Sequence, residues 1–504
     1  MEKFYITTAI AYSNGEPHIG HAFEKLGADC IARYRRLRGD DVHFVIGMDE
    51  HGKNVLQAAE KAGTPPGEWV DRIADMFQET WREFHISNTD FIRTTEERHT
   101  RCVTKLLERI LAADDIYKGN YEGFYCVSCE AFKLDKDLDD GSCPEHPNLK
   151  VAWVEEPNFF FKLSKFADEL LQLYESNPDF LRPPAKMNEI RNIVQSGLQD
   201  ISVSRARVPW GIPWPGEETH TVYVWFDALI NYLSATGFPD SGWEEMWPAD
   251  LHVIGPDIAR FHAVIWPAML SSAALPLPRG VWSHGWVKTS GGRFSKTAGV
   301  RIELKEAMSR HGTDALRYFL LREVPWDADG NFSWERFDAR YTSDLADGYG
   351  NLASRVLAMI VKYRAGKVPE SGDTMSLDNS GMEALTEYAD AMDGMLLHLG
   401  AQAIWRLVAD ANSFIEEMAP WTLAKEESDE LLDATLASLA RCLFRITATA
   451  APFLPTKVRE VTRALGLHGE VSDINWQEIS SPRLAGSSVT KLAPLFPKDH
   501  ISDL

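Results

Sequence analysis

The chain has 504 residues, 44% of them hydrophobic and 25% charged, a balance that suits several folded domains with their own cores and excludes a disordered chain. Its formal net charge of -22 argues against a surface that grips nucleic acid everywhere, while leaving room for a local basic face. No apolar run is long enough to cross a bilayer, and Met1-Glu2-Lys3-Phe4 leads straight into a strand without a secretory pattern, so the expectation is a cytoplasmic protein with no membrane partner.

Residues 1 to about 115 alternate strand and helix. A β-prone run, Phe4 to Ile10, enters a polar turn at Ser13-Asn14-Gly15, and after Pro17 the stretch Ala22 to Leu37 has helical period. A second strand, Val42 to Gly47, follows Gly39-Asp40-Asp41. This alternation implies a parallel sheet flanked by helices, whose ligands lie beyond the C-terminal strand ends. Asn14 to His21 and Met48-Asp49-Glu50-His51-Gly52 then line one crevice. His18 and His21 flank Gly20 at a strand-to-helix junction. There, backbone N–H groups and the helix dipole favour phosphate, and the glycine permits close approach. Asp49 or Glu50 could pair with a cation, or cap a helix. Arg33, Arg35, Arg36 and Arg38 form one basic cluster and Arg182, Lys186 and Arg191 another, each equally readable as solvated helix surface.

From Tyr117 to about Phe161 the texture is short, aromatic and turn-rich. Of the cysteines Cys30, Cys102, Cys126, Cys129, Cys143 and Cys442, three are bunched here. The pairs Cys126-x-x-Cys129 and Cys143-x-x-His146 suit one tetrahedral structural zinc ion with no open position. Helices return to about Glu218, and Val222 to Tyr232 reads as a strand passing into a helix. Trp225, Ala228, Leu229 and Tyr232 share one face of it, as core or as the wall of an apolar pocket. A strand Leu251 to Gly255 precedes a helix carrying Arg260-Phe261-His262. Lys288 to Gly299 is a glycine-bounded polar loop able to close over a polyphosphate, without Walker A spacing. Beyond about residue 330, Arg336 to Ala365, Met382 to Trp421 and Leu431 to Leu465 have helical period and predict a bundle. Gly366 to Ser380 is a loop, and Pro494 to Leu504 an irregular tail that packs back on the body.

These parts, in this order, resemble the class I aminoacyl-tRNA synthetases. His18-Ile19-Gly20-His21 is similar to their first signature and Arg293-Phe294-Ser295-Lys296-Thr297 to their second. Over nearly the whole length the chain resembles the bacterial methionyl-tRNA synthetases. The matches are Ala9 to Gly15, Gly47 to Gly52, the single zinc knuckle, Val224 to Ala228, Phe261-His262, Asn351-Leu352-Ala353-Ser354-Arg355 and Ala419-Pro420-Trp421. Arg293 stands where the family usually has lysine, Thr297 where serine is frequent, and Pro256 where lysine is common.

The resemblance implies a Rossmann-type parallel-sheet catalytic domain with an inserted zinc-knuckle module, followed by an α-helical anticodon-binding domain. The expected division is 1–116 and 219–290 for the two catalytic halves, 117–218 for the insert, 291–335 for a mobile signature loop and connecting region, and 336–504 for the bundle and tail. It implies methionine activation by ATP, with magnesium, to methionyl adenylate and pyrophosphate. Methionine then passes to the 3′ end of tRNA(Met). By matched position His18, His21 and Lys296 are catalytic, and Gly20, Arg293, Ser295 and Thr297 complete the ATP site. Ile10, Tyr12, Asp49, Trp225, Ala228, Leu229, Tyr232 and His262 would bind methionine, with Asp49 on the ammonium group. Asn351, Arg355 and Trp421 would read the anticodon. The absence of the further C-terminal domain of some relatives implies a monomer. Alternatives are another class I synthetase, a small-molecule nucleotidylyltransferase, or a non-catalytic tRNA-binding relative. No room for a large editing insertion exists between Tyr117 and Val222, a nucleotidylyltransferase needs no helical bundle, and intact His18, His21 and Lys296 favour an active enzyme.

Overall fold

The computed structural model describes residues 2–498 other than 127–130, 134–137, 140, 145, 207, 290–291, 294–301, 372 and 468–473, with backbone only for 121–122, 125, 131–133, 146–150, 289 and 292–293. Strand β1 spans Lys3–Thr8 and β2 Ala11–Tyr12. The strand expected to reach Ile10 breaks because the Ala9 carbonyl accepts a hydrogen bond from Lys25 Nζ at 2.7 Å instead of extending the strand. The ladder resumes with a one-residue slip: Thr7 pairs Val45, but Ala11 pairs Met48. Helix α1, Ile19–Leu37, starts before the expected Ala22 because His18 caps it. Strand β3 spans Asp41–Asp49, β4 Asp90–Arg93, and helix α2 Glu97–Ala112.

The next region departs from the short segments expected. Ile116–Cys126 and Ala152–Phe161 form one long antiparallel pair, in which Tyr117 lies opposite Phe160 and Phe124 opposite Trp153. Their rings meet at 5.6 and 5.1 Å. Cross-strand aromatic pairs of this kind outweigh the turn-prone Gly119, Asn120 and Gly123 between them.

Strand β5 (Leu181–Arg182), helix α3 (Val224–Leu229), and strands β6 (Leu251–Ile254) and β7 (Val281–Ser283) complete the sheet region. The seven-stranded sheet runs β5–β7–β6–β1–β3, with β2 continuing the line of β1 along β3 and β4 on the far side of β3. Every pairing is parallel. Alternation divides each central strand between two cores. Phe4, Ile6, Phe44 and Ile46 join the core that contains α1 and the helical bundle, while Tyr5 and Val45 join the one on the other face.

The bundle comprises α4 (Thr313–Glu323), α5 (Asn351–Arg364), α6 (Ser376–Asp393), α7 (Leu397–Met418) and α8 (Asp429–Ala450), among shorter helices. The periodic stretch Met382 to Trp421 is therefore two long helices, parted where Met395 takes a φ of +59°. Leu431 to Leu465 likewise breaks at the segment containing Pro452 and Pro455, before the helix Lys457–Ala464. The loop at Gly366 is shorter than expected, since α6 begins at Ser376 with the Asp378 carboxylate accepting from Met375 N–H.

Bundle and sheet are fastened through α1. Arg317 is fully buried and donates to Asp29 (2.6 Å), to the Phe84 carbonyl (2.8 Å) and to the Pro452 carbonyl (2.9 Å). Tyr34 donates to Asp393 at 2.8 Å, and Arg38 covers the Trp476 ring at 4.8 Å. The first basic cluster is thus structural, with Arg33 on Asp29, Arg35 on Asp40 and Arg36 on Ser87. The second is similarly engaged: Lys186 with Glu189, Arg191 with the Tyr174 carbonyl, and Arg182 over Trp282. The described part of the tail packs back, burying Leu495 and Phe496 and taking a hydrogen bond from Tyr341 at the Pro497 carbonyl. Among the described residues no helix is long and apolar enough to cross a membrane.

Candidate active site

The crevice lies where β1, β2 and β3 end and α1 begins. His18 is the N-cap of α1, and its Nδ1 accepts from Gly20 N–H (3.1 Å) and His21 N–H (3.4 Å). His21 returns the contact, its Nδ1 accepting from His18 N–H at 3.4 Å, and the two rings stack at 3.7 Å. This capping box alters the expectation of a bare helix terminus. The N–H groups of Gly20 and His21 are turned to the His18 ring, so the donors that both neutral histidines offer a ligand are their Nε2–H groups. Gly20 is also explained by this ring, because a Cβ there would lie 3.1 Å from His18 Cε1. Its smallness serves the cap as much as any approaching ligand.

Asp49 and Glu50 separate cleanly. Glu50 is fully buried and taken: it accepts from Arg93 Nε at 2.7 Å and from the Thr95 hydroxyl. Burial pushes its carboxyl above the ordinary value, against those two hydrogen bonds. Asp49 closes β3 opposite Tyr12 of β2 and is only 4% exposed. Its backbone carbonyl accepts from Ser13 N–H at 2.9 Å, which pins the Ser13-Asn14-Gly15 turn to it. Neither carboxylate is the cap of the next helix, whose N-cap is Gly52. A Cβ on Gly47 would lie 2.2 Å from the Ile92 carbonyl oxygen of β4 and 3.0 Å from the Ile10 side chain, so only glycine fits against β4 here, and its bare face leaves room for Ile10.

The apolar wall comes from α3 and its continuation. Trp225 stacks on Phe261 at 4.5 Å and 20°. Ile10, Tyr12, Trp225, Leu229 and Tyr232 join one cluster, and Ala228, on the same helix as Trp225 and Leu229, is buried. Tyr232 and His262 are buried and bonded to each other at 2.6 Å. His262 Nδ1 donates to the Ile258 carbonyl at 3.0 Å, so Nε2 is the acceptor and the tyrosine hydroxyl the donor. Burial pushes the His262 pKa down to about 4. Behind Tyr232 lies His252, ring to ring at 4.3 Å, held between the Thr7 hydroxyl and Trp266 Nε1. His262 lies on the expected helix, which opens with a wide π turn, Phe261–Ile265, before continuing as Trp266–Ser272.

The structure adds residues that the sequence left without a role. Glu24 and Lys25 are buried in α1 and bonded at 2.6 Å, with His284 3.5 Å from Glu24. Burial raises the Glu24 carboxyl, but Lys25 and His284 together hold it below its usual value. Asp227, within the quoted Val224 to Ala228 motif, is fully buried between His51 (2.7 Å) and His99 (2.7 Å). Charges amid an apolar helix were the sole signal for the first group, and nothing in sequence paired Asp227 with residues so distant.

Of the second signature, Ser295, Lys296 and Thr297 lie outside the described residues, and Arg293 is described by its backbone, paired with Lys288. The expected loop therefore opens as a hairpin, Val287–Thr289 with Gly292–Arg293. Cys126 and Cys143 are buried, and Cys143 pairs His146 across a two-stranded turn. Cys129 and the His146 side chain lie outside the described residues. Asn351 and Arg355 line a cavity of about 1150 Å³ that also includes Arg340, Trp405, Arg406 and Glu416. Arg355 meets Glu416 at 2.5 Å, and Trp421, 39% exposed, is not among the cavity's lining residues.

The sequence matches the family described as tRNA synthetases class I (M) over residues 4–152 and 146–357, and the anticodon binding domain of methionyl tRNA ligase over 366–498. A methionine–tRNA ligase of Thermotoga maritima is 42% identical, covering 99% of this chain and 81% of that one. One of Brucella suis biovar 1 is 43% identical over 99% and 98%. The Mycobacterium tuberculosis methionyl-tRNA synthetase, solved in complex with methionyl-adenylate, superposes with a TM-score of 0.94 at 38% identity, covering 99% of this chain and all of that one. With identity of this order across both the parallel-sheet region and the bundle, the chain belongs to the methionyl-tRNA synthetase family of class I aminoacyl-tRNA synthetases.

Proposed function

We propose that the protein charges tRNA(Met) in two steps at this crevice, and that the capped pair His18–His21 at the start of α1, with Asp49 at the end of the neighbouring strand and the bonded pair Tyr232–His262, carries the reading. In the first step a methionine carboxylate oxygen attacks the α-phosphorus of ATP. The bond from that phosphorus to the bridging oxygen breaks, and pyrophosphate leaves with its electrons. In the second, a hydroxyl of the terminal adenosine attacks the methionyl carbonyl and AMP departs. The nucleophiles belong to the substrates, so the chain's work is positioning and charge stabilisation.

Each role follows from chemistry. Asp49 takes the α-ammonium group. Ile10, Tyr12, Trp225, Ala228, Leu229, Tyr232 and His262 enclose the thioether, whose polarizable sulfur suits aromatic walls. The Nε2–H groups of His18 and His21 hold phosphate oxygens as charge moves onto them, with Gly20 beside the adenosine. Lys296, assigned from the second signature, holds the pyrophosphate, with Arg293, Ser295 and Thr297 around it. A guanidinium at 293 presents a fork of donors rather than a point charge. Magnesium bound with ATP supplies further positive charge at the phosphates.

Zinc fits the donors Cys126, Cys129, Cys143 and His146 as a structural ion. Two of the thiols are already buried, and the backbone register pairs Cys143 with His146. Asn351, Arg355 and Trp421 read the anticodon while the acceptor end enters the crevice. We assign the protein as a monomer of the cytoplasm. The test is aminoacylation: labelled methionine should become acid-precipitable on tRNA(Met), and labelled leucine, valine or cysteine should not. Charging with one of those in place of methionine overturns the proposal.

A further inference from the structure

The methionine pocket proposed above has two walls on separate parts of the chain. Asp49, for the ammonium group, ends β3. Trp225, Ala228 and Leu229, for the thioether end, lie on α3, which has no side-chain N-cap and continues through Ile230 into the turn Asn231–Ser234. Its distance from the end of β3 is set by what ties the two together. The tie is visible. His51, two residues beyond Asp49, donates from Nδ1 to Asp227 Oδ2 at 2.7 Å. Asp227 lies between Trp225 and Ala228 in sequence, about 200° around the helix from Trp225 and Leu229. Its other oxygen, Oδ1, is 2.7 Å from His99 Nε2 on α2, and His99 Nδ1 is 2.9 Å from the Ser234 hydroxyl. Asp227, His99 and Ser234 are all at most 1% exposed. Burial disfavours the Asp227 charge, yet His51 and His99 hold it ionised, with its pKa near 2.

We infer that Asp227, clamped between His51 and His99, is a positioning residue that fixes the distance between the ammonium-binding and thioether-binding walls, and so gauges the length of the amino-acid side chain. The clamp joins the strand segment carrying Asp49 directly to the helix carrying the far wall. A charged, fully satisfied, buried link of this kind has one geometry and tolerates little displacement. Without it, α3 can recede and admit a longer side chain. The Tyr232–His262 pair has further ties of its own, the Tyr232 carbonyl accepting from the Tyr5 hydroxyl at 2.6 Å and His262 Nδ1 donating to the Ile258 carbonyl, and these remain when the clamp is cut.

The inference rests on the methionine-pocket reading, and the experiment separates the two. ATP–pyrophosphate exchange is measured with methionine, with ethionine (one methylene longer) and with norleucine (the same length, with CH₂ for sulfur). The proteins are the wild type, Asp227→Asn and His51→Ala, each assayed well below its own melting temperature. Discrimination by a single methylene in an apolar pocket is on the order of 10–200-fold. In both variants the methionine-to-ethionine ratio of kcat/KM should fall at least about fivefold on that scale, through KM more than kcat. The methionine-to-norleucine ratio should stay within about twofold. An unchanged ethionine ratio in a folded variant overturns the gauge, and so does an equal fall in both ratios. Should Asp227→Asn not fold, His51→Ala decides alone, since the His51 side chain is 10% exposed at the edge of the network. Failure of the wild type to exchange with methionine is a different outcome, and sinks the pocket reading itself.

Discussion

Tyr232 donates its hydroxyl proton to His262 Nε2 across 2.6 Å, and His262 can accept it because its Nδ1–H is committed to the Ile258 carbonyl. The pair is therefore neutral and directional. Tyr232→Phe removes the donor and leaves a buried imidazole acceptor unmatched, a loss of about 1–3 kcal/mol. Methionine KM in the exchange assay should rise by about tenfold on that scale, with KM for ATP little changed.

A second consequence is in stability. Because burial lowers the His262 pKa to about 4, the unfolded chain binds protons at this site before the native protein does. Stability at this site is thus whole above about pH 6.5 and is lost as pH falls toward 4, by up to about 3 kcal/mol. Urea midpoints measured from pH 7 to 4.5 should fall more steeply in the wild type than in His262→Gln. Equal slopes would mean that the ring is not buried neutral.

The stacked histidines separate activation from amino-acid binding. His21→Ala removes one donor to the reacting phosphates, for which losses of about 100- to 1,000-fold in kcat are usual. Exchange should drop by that order while methionine binding, followed by intrinsic fluorescence, stays within about threefold. Lys296→Ala should behave alike. Normal exchange in that variant would remove the leaving-group role.

The joint between sheet and bundle is the place to look for a stability effect. Arg317 and Asp29 are both fully buried at 2.6 Å, and burial of the Asp29 carboxyl is outweighed by Arg33 and Arg317, which hold it well below the usual carboxylate range. Breaking such a pair leaves one uncompensated charge and costs about 3–5 kcal/mol. Asp29→Ala should lower the urea midpoint accordingly. If the midpoint does not move, the fastening lies elsewhere.

Metal content tests the knuckle. Purified protein should carry one zinc per chain by elemental analysis, and Cys143→Ala should lose it. Because the ion is assigned a structural role, its removal should unfold the insert before it alters methionine KM.

Much of this architecture was legible because the signals were local. The β-prone run from Phe4 announced a strand, which the fold buries on both faces, and the period of Ala22 to Leu37 announced a helix. What failed to show was whatever depended on a distant partner. Strand β1 stops at Thr8 because Lys25 takes a carbonyl from the next helix, and no propensity records that. The pair Ile116–Cys126 with Ala152–Phe161 was masked by glycines and an asparagine whose turn preference yields to opposed aromatic rings. At the site, His18, Gly20 and His21 were legible as a motif, but their mutual capping was not. Glu50 could not be told from Asp49 until Arg93, far along the chain, was seen to occupy it.

The most direct measurement is ATP–pyrophosphate exchange by the purified protein with each amino acid in turn, without tRNA. Methionine alone among the twenty coded amino acids should drive fast exchange. Exchange driven by leucine, valine or cysteine and not by methionine would contradict the reading of this crevice.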